Sequence, residues 1–271
     1  MDPVTLKNTL KEGGRVYGCM LSAMASTRFS SVLKGSTLDY VIIDTEHGSR
    51  DRTEIQTLCA MLHNIGITPV VRVPVPKAEW VAMALDAGAA GVLVPYCETV
   101  EEVSACVATA KWHPLKGEYL KRAIEKDELP SEASREYLES RHKQTFVVIG
   151  IESVPAHENL ESILDVGSID GIFIGPNDLS TSIGIPNQYD DSRYKEAVAD
   201  IIRRSELRNI PVMVHQQTFE TSTMAMQLGA RFVLHAMDSN IMQRALQREF
   251  NELRGFAGAE LKATDNTVDV A

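Results

Sequence analysis

The chain has 271 residues, of which 44% are hydrophobic and 24% are charged, proportions that are ordinary for a globular protein. Its formal net charge of −10 and pI near 5.2 argue against a nucleic-acid partner or an anionic membrane surface. The N-terminal stretch lacks the apolar core of a signal peptide, and no run of about 18 apolar residues occurs, so we expect no signal peptide and no membrane span.

The four cysteines share no C-x-x-C spacing, and a disulfide framework is not expected in a chain of this size. They are Cys19, Cys59, Cys97 and Cys106. We therefore expect reduced thiols and a cytoplasmic protein.

Short runs of apolar, β-branched residues recur along the chain, with helical patterns between them. Several are apolar at consecutive positions, which is typical of strands covered on both faces in a parallel sheet. The eight candidate strands cover residues 15–21, 40–44, 69–73, 91–95, 146–152, 171–175, 211–215 and 231–235.

The segments between the candidate strands space their apolar residues along one helical face, for example in 52–66, 77–91 and 194–209. Eight strands that alternate with helices predict an α/β fold, the closed (β/α)₈ TIM barrel. The main alternative, a doubly wound open sheet, would need a glycine-rich fingerprint after its first strand, and "GCMLSAMAS" does not supply one.

We expect a single barrel domain over residues 1–255. A charge-rich segment with two prolines, 113–145, predicts short surface helices that serve as a lid or as an assembly element. Residues 256–271 have no usable apolar period, and we expect them to form a mobile tail.

Ionisable residues stand at the ends of most candidate strands, where the active site of a (β/α)₈ barrel lies. One such residue alone is more often structural: Arg72 could pair with a buried acid, and His215 or His235 could be hydrogen-bonded at the rim. Their convergence on one face favours a catalytic site. The set comprises Asp44, Glu46, His47, Arg72, Glu152, Asp178, His215 and His235. For Glu46, the sequence is equally compatible with an outward structural hydrogen bond and with a role in the site.

Glu152 and Asp178 follow the fifth and sixth strands, which are neighbours in a barrel. Two carboxylates that face one cavity repel each other unless they share a proton or a cation. Oxygen ligands suit a hard divalent ion such as Mg²⁺ or Mn²⁺, and Co²⁺ is also compatible. The alternative is that one carboxylate pairs with an arginine.

Five segments resemble, in order and approximate spacing, the class II pyruvate aldolases, the family of 4-hydroxy-2-oxoheptanedioate and 2-dehydro-3-deoxyglucarate aldolases, with macrophomate synthase as a divergent relative. They read "IIDTEHG", "VVRVP", "LDAGAAGVLVP", "IGIES" and "DGIFIGPNDLS". The resemblance covers roughly residues 5–255. It implies a barrel of the phosphoenolpyruvate/pyruvate-binding type that cleaves a 4-hydroxy-2-oxo acid to pyruvate and an aldehyde through an enolate of the bound pyruvate.

The resemblance also implies residue roles. Glu152 and Asp178 would hold the divalent metal, to which pyruvate binds through its carboxylate and keto oxygens. Arg72 would face the keto oxygen and stabilise the enolate. His47 would work with Asp44 as an acid/base dyad acting through a water molecule.

The family's active site is completed across a subunit interface by an aspartate, here Asp86. A homo-oligomer, hexamer or trimer, is therefore expected, and helix exchange between subunits is common in the family. We also predict that Gly175, Pro176 and Asn177 of "GPNDLS", together with His215, contact the small 2-oxo acid substrate.

The candidate residues also meet the chemical requirements of aldol cleavage when the family resemblance is set aside. Cleavage of a carbon–carbon bond beside an alcohol requires removal of the hydroxyl proton and stabilisation of the resulting enolate. A Lewis-acid cation and a guanidinium meet the second need, and an imidazole oriented by a carboxylate meets the first. A Schiff-base aldolase would need a lysine in a strand, and none of the eight candidate strands contains one.

The sequence departs from the family pattern outside the residues that are predicted to bind pyruvate. The segment "KWHPLKGEYLKRA" lacks the usual arginine–glycine pair, and "GCMLSAM" lacks a tryptophan. The seventh strand ends in His215, Gln216 and Gln217, which either reach a polar or anionic acceptor or satisfy backbone groups at the rim. The acceptor aldehyde is therefore not defined.

Two other functions stay open. An oxaloacetate decarboxylase, or a biosynthetic enzyme similar to macrophomate synthase, would use the same enolate. A catalytically silent barrel with a binding or assembly role would not need the complete set Asp44, His47, Arg72, Glu152 and Asp178, so that set argues against it.

Overall fold

The computed structural model describes residues 1–262 and contains a closed barrel of eight parallel strands. The strands follow one another around the barrel in chain order. They are β1 (Val16–Leu21), β2 (Tyr40–Asp44), β3 (Thr68–Arg72), β4 (Gly91–Val94), β5 (Phe146–Gly150), β6 (Gly171–Ile174), β7 (Val212–Gln216) and β8 (Phe232–Met237). The predicted (β/α)₈ fold is confirmed, and each predicted strand agrees with its observed bounds to within two residues.

Helices surround the barrel and cover one of its ends. In chain order they are α1 (Pro3–Lys11), α2 (Ser30–Lys34), α3 (Arg52–Asn64), α4 (Ala78–Asp86), α5 (Val100–Trp112), α6 (Gly117–Lys126), α7 (Glu132–His142), α8 (Val154–Glu158), α9 (Leu160–Leu164), α10 (Pro176–Ser182), α11 (Ser192–Glu206), α12 (Phe219–Gln227) and α13 (Asp238–Phe256). None of the helices in residues 1–262 is both long and apolar enough to cross a membrane.

Each strand divides its side chains between two apolar cores, because successive residues of a strand point to opposite faces. The larger core lies between the strands and the helices. The smaller core fills the barrel interior, where the ring of Tyr40 meets that of Phe232 edge-on at 4.7 Å between centroids. Glycine makes room for such rings, since a Cβ at Gly91 would lie 2.3 Å from the ring of Phe146.

The end of the barrel at which the strands begin is closed by α1. Leu6 and Leu10 of this helix are buried in the interior core. Lys7 is buried beside them, forms an ion pair of 3.2 Å with Asp170, and donates to the Thr145 carbonyl at 2.6 Å. This end of the barrel is therefore sealed, with its buried charge balanced.

The charged excursion at 113–145 forms α6 and α7, which pack on α5 through a small apolar cluster of Trp112, Ala123 and Leu138. It leads directly into the start of β5, and Lys7 of α1 donates to the His142 carbonyl at its end. The excursion thus lies beside the sealed end of the barrel and does not cover the strand ends of its own chain.

The last helix, α13, ends at Phe256, next to the predicted boundary of the barrel at residue 255. Of the predicted tail, residues 257–262 follow this helix, and residues 263–271 lie outside the described residues.

Candidate active site

The strand ends bring four ionisable side chains to the mouth of the barrel. Ile42, Val70 and Met213 belong to the interior core, and the residues two positions later along the same strands point to the same side. Asp44, Arg72 and His215 therefore face inward above the core, and all three are buried. Glu152, which follows β5, lies buried in the same region.

Asp44 and Arg72 form a bidentate ion pair. They stand opposite each other in the β2–β3 register, and Arg72 donates from Nε and Nη2 to the two Asp44 oxygens at 2.7 Å each. Burial alone would raise the pKa of Asp44, but the hydrogen bonds and charge of Arg72 outweigh it and lower that pKa. Both groups are therefore ionised, and the guanidinium is fixed in orientation.

Glu46 is a third member of this group, although the sequence left its role open between an outward structural hydrogen bond and a place in the site. Its carboxylate lies 2.9 Å from Nη1 of Arg72, and its backbone N–H donates to Asp44 at 3.0 Å. Burial raises the pKa of Glu46 despite the charge of Arg72. The guanidinium thus contacts two carboxylates at once.

His47 lies at the mouth, with its side chain 46% exposed. Its Nε2 is 3.8 Å from Glu46, and the described residues show no hydrogen bond between His47 and Asp44. Both oxygens of Asp44 are occupied by Arg72. The predicted dyad of His47 and Asp44 therefore stays a prediction, and Glu46 is the carboxylate nearest to the imidazole in this structure.

Glu152 is held by a backbone donor from the neighbouring strand end. The N–H of Tyr96 donates to Glu152 Oε1 at 2.8 Å, and Tyr96 has a left-handed backbone with φ 50°. Such a conformation is uncommon for a residue with a side chain, and strained residues of this kind are enriched at functional sites. Burial raises the pKa of Glu152 to about 8, because neither this one hydrogen bond nor the charge of Arg72 compensates for lost hydration.

Two glycines leave room for the Glu152 carboxylate. A Cβ at Gly175 would lie 2.0 Å from Oε2 of Glu152 and 3.3 Å from Oδ2 of Asp178. A Cβ at Gly150 would lie 2.3 Å from Oε1 of Glu152. The two carboxylates predicted to bind the metal are thus brought to one point beside Gly175, a cradle that any side chain would fill.

This cradle fits a hard divalent cation. Residues 1–262 contain no cluster of three or more His, Cys, Asp or Glu side chains that could hold a metal by themselves. Two carboxylates would leave several coordination positions for water and substrate, as Mg²⁺ and similar ions prefer. The buried carboxylates Asp44 and Glu152 and the partly buried Glu46 face one buried cation, Arg72, so added positive charge would be stabilised here.

The other residues predicted in "GPNDLS" surround the start of α10. Gly175 precedes the helix, Pro176 is its first residue, and Asp178 lies in its first turn. The amide oxygen of Asn177 accepts a hydrogen bond from the hydroxyl of Tyr189. The loop after α10 therefore fixes Asn177 at the rim.

The two histidines at the ends of β7 and β8 differ in direction. His215 faces the barrel, and burial, with the charge of Arg72, lowers its pKa to about 4, so its ring is neutral. Its Nε2 lies 3.1 Å from the amide nitrogen of Gln217, whose Oε1 is buried without a partner in the described residues. His235 faces outward and pairs with Ser222 of α12 at 2.7 Å.

Asp86 does not reach the strand ends of its own chain. It is the last residue of α4, and because helices of a (β/α)₈ barrel run opposite to the strands, this helix ends beside the sealed end of the barrel. Its side chain is 57% exposed, and within residues 1–262 its ion-pair partners are His113 and Lys116. Any contribution of Asp86 to a site must therefore be to that of another subunit.

The fold and the inward-facing charges define a barrel enzyme with its reactive groups at the strand ends. The chain belongs to the HpcH/HpaI aldolase/citrate lyase family, whose sequence profile matches residues 19–245. It is accordingly a carbon–carbon lyase of the aldolase type, and the predicted family is confirmed.

Curated relatives carry the same assignment. A hydroxypyruvate/pyruvate aldolase of Roseobacter denitrificans is 29% identical over 86% of this chain and 91% of its own length. A 4-hydroxy-2-oxo-heptane-1,7-dioate aldolase of Salmonella paratyphi C is 29% identical over 93% of this chain and 97% of its own length.

Solved structures share the architecture. An HpcH/HpaI aldolase from Desulfitobacterium hafniense superposes with a TM-score of 0.79 at 26% identity, covering 92% of this chain and 96% of that one. Macrophomate synthase superposes with a TM-score of 0.74 at 23% identity, over 93% of this chain and 90% of its own, which is a likeness of fold alone.

Proposed function

We propose that this chain is a metal-dependent pyruvate aldolase that cleaves a 4-hydroxy-2-oxo acid to pyruvate and an aldehyde. The observation that carries the proposal is the cradle at Gly175, where the Glu152 and Asp178 carboxylates meet beside the Arg72 guanidinium site. The names of the relatives from Roseobacter and Salmonella support a 2-oxo acid as the substrate class.

Glu152 and Asp178 would hold Mg²⁺, Mn²⁺ or Co²⁺ in this cradle. The cation would bind the 2-oxo acid and supply Lewis-acid stabilisation to its keto oxygen. Burial raises the pKa of Glu152 to about 8, and a cation bound in the cradle would lower it again and keep this carboxylate ionised.

Arg72 would stabilise negative charge on the keto oxygen as the carbon–carbon bond breaks. Its pairs with Asp44 and Glu46 use three of its five N–H bonds, and a contact of 3.7 Å from Nη2 to Sδ of Met20 uses a fourth, so one donor on Nη1 remains for a substrate. Because Asp44 fixes the guanidinium before substrate arrives, little reorganisation is needed during the reaction.

His47 would take the hydroxyl proton of the substrate and return it in the reverse reaction, through a water molecule and with Asp44 as its partner in the dyad. Its exposed position at the mouth is compatible with proton exchange with solvent. His215, Gly175, Pro176 and Asn177 would contact substrate around the same opening.

The active unit would be a homo-oligomer, hexamer or trimer, in which Asp86 completes a neighbouring site. Helix α13 supports assembly, because it carries a stripe of exposed apolar side chains at helical spacing on a 19-residue helix. The stripe consists of Met242, Leu246, Phe250, Leu253 and Phe256. Burial of all four thiols is compatible with a cytoplasmic location.

The decisive assay measures pyruvate release from a panel of 4-hydroxy-2-oxo acids after metal removal and after Mg²⁺ or Mn²⁺ is restored. We expect activity only with metal. Release of CO₂ from oxaloacetate without any aldehyde acceptor, in the absence of aldol cleavage, would favour the decarboxylase instead. A protein that binds no metal and exchanges no pyruvate protons would be a silent barrel.

A paired variant tests the ligand assignment by calorimetric titration of Mn²⁺. Glu152→Gln should weaken metal binding by about 100-fold, since it replaces a charged ligand with a neutral one. Glu158→Gln, on the exposed face of α8, is the matched control and should leave the affinity unchanged. Equal affinities for both variants would contradict the proposed site.

A further inference from the structure

The turn that ends α4 is held by two histidines from the neighbouring helices. His63 of α3 donates from Nε2 to the carbonyl of Gly88 at 2.9 Å. His113, which follows α5, lies with Nε2 at 2.9 Å from Oδ1 of Asp86. Gly88 has φ +96°, a left-handed conformation that closes the turn after the helix. Asp86 therefore stands on a braced turn.

The His113–Asp86 pair joins a buried imidazole to an exposed carboxylate. His113 is 7% exposed, whereas the Asp86 side chain is 57% exposed. An ionised carboxylate only accepts hydrogen bonds, so Nε2 of His113 carries the proton of this bond. Burial lowers the pKa of His113 despite the opposing charge of Asp86, and the ring is a neutral donor.

This bond fixes one oxygen of Asp86 and leaves the other with only a long contact to an exposed lysine. Oδ1 accepts from His113, while Oδ2 is 3.9 Å from Nζ of Lys116, a side chain that is itself 66% exposed. An exposed aspartate at a helix end would otherwise rotate among several conformers. A carboxylate with one oxygen fixed and the other turned to solvent is prepared to accept a bond from outside its own chain.

We infer that His113 is a positioning residue, which fixes the Asp86 carboxylate for the active site of a neighbouring subunit. The inference rests on the proposed function, in which Asp86 completes that site. It assigns a role to the segment "KWHPLKG", where the family's arginine–glycine pair is missing. His113 itself touches no substrate.

The first experiment compares variants of His113 in steady-state pyruvate release. His113→Leu places an apolar side chain at this buried position and removes one hydrogen bond to a charged group. We expect it to lower kcat about tenfold and to change KM by less than about twofold. His113→Gln should restore most of kcat, because its amide nitrogen extends about as far as Nε2. If the leucine variant does not fold, His113→Asn, whose shorter amide does not reach Asp86, takes its place.

A second His–Asp pair on the outer surface supplies the matched control. His157 of α8 lies 2.9 Å from Asp200 of α11, the same distance as in the His113 pair. His157→Leu removes a His–Asp hydrogen bond of the same length and should leave kcat unchanged. A fall in kcat equal to that of His113→Leu would mark a general structural effect and would overturn the inference.

The decisive experiment mixes subunits. In an equal mixture of Asp86→Ala and His47→Ala chains, about a quarter of the sites would combine both intact groups, so activity should return. In a mixture of His113→Leu with His47→Ala, the second chain supplies Asp86 with an intact His113. Adding this inactive protein should therefore raise the activity per total subunit from about a tenth to about a quarter of the wild-type value, which is about half of the wild-type value per His113→Leu chain.

The two mixing experiments distinguish a failure of the proposed shared active site from a failure of the positioning role of His113. If Asp86→Ala and His47→Ala do not complement, the shared site of the proposed function is wrong. If they do complement but His47→Ala merely dilutes the activity of His113→Leu, then His113 acts within its own subunit and the positioning role is wrong. Wild-type kcat in His113→Leu would also overturn it.

Discussion

Buried charge is compensated differently at the two ends of the barrel. At the sealed end, Lys7 is matched by Asp170, and the lysine also donates to two backbone carbonyls. At the open end, Arg72 alone faces several acidic side chains, and Glu152 keeps a raised pKa. A balanced pair serves stability, whereas an acidic cluster with a single cation needs a shared proton or a further cation, so the difference marks which end is built for chemistry.

The largest expected effect is that of Arg72→Lys at the open end. Lysine keeps the positive charge but cannot form two bonds to Asp44 and a third to Glu46. We expect kcat for pyruvate release to fall by about 10²–10³-fold, the usual result of removing a donor to a developing oxyanion.

Arg231→Lys is the matched control at the sealed end. Arg231 is also buried and also pairs with a carboxylate, Glu206 at 2.7 Å. Its substitution should leave kcat unchanged. A fall of similar size in both variants would remove the distinction between the two ends.

A smaller effect, on stability alone, is expected for Lys7→Met. The change leaves the Asp170 carboxylate without its cation and should lower the free energy of unfolding by about 3 kcal/mol, with kcat unchanged. In the double variant with Asp170→Asn most of this loss should be recovered, because neither charge remains and the amide oxygen can still accept from Val147. Chemical denaturation of the four proteins measures the coupling. Additive losses would contradict a balanced pair.

The smallest expected effect concerns acid stability at the open end. His215 has a folded pKa of about 4, below the value of about 6.5 for an unfolded histidine. As the pH falls through this window, the unfolded chain takes up the proton first, so stability is lost. Between pH 7 and pH 5 the wild type should lose about 2 kcal/mol more than His215→Gln. Parallel pH profiles of the melting temperature would show that this histidine is not buried in neutral form.

The sequence predicts the barrel well because its strands are short, apolar runs bounded by helices, and the direction of the side chains follows from alternation. His215 lies two positions after Met213, which points into the barrel, so it also points inward. His235 comes directly after the inward-pointing Leu234, so it points outward. The alternation of side chains along each strand would have been enough to distinguish the two histidines. The pairing of Asp44 with Arg72 depends on the register of β2 against β3, which no pattern within one strand defines.

Other features of the candidate site depend on contacts between distant segments. The bond from Tyr96 to Glu152 joins residues 56 positions apart and requires a left-handed backbone that no glycine in the sequence signals. The His113–Asp86 bond joins the ends of two helices, and its histidine falls in a segment without a recognisable motif. Glu46 follows its strand by two residues, so its inward direction could have been inferred from the parity of Asp44.

The clearance around Glu152 limits how this enzyme can be re-engineered. A single methyl group at position 175 or 150 would overlap the carboxylate, so even the smallest change at either position displaces it. A mutagenesis library aimed at new acceptor aldehydes should therefore hold both glycines fixed. Diversity belongs at rim positions such as Gln217, whose side chain pairs with His215 and does not contact the carboxylate.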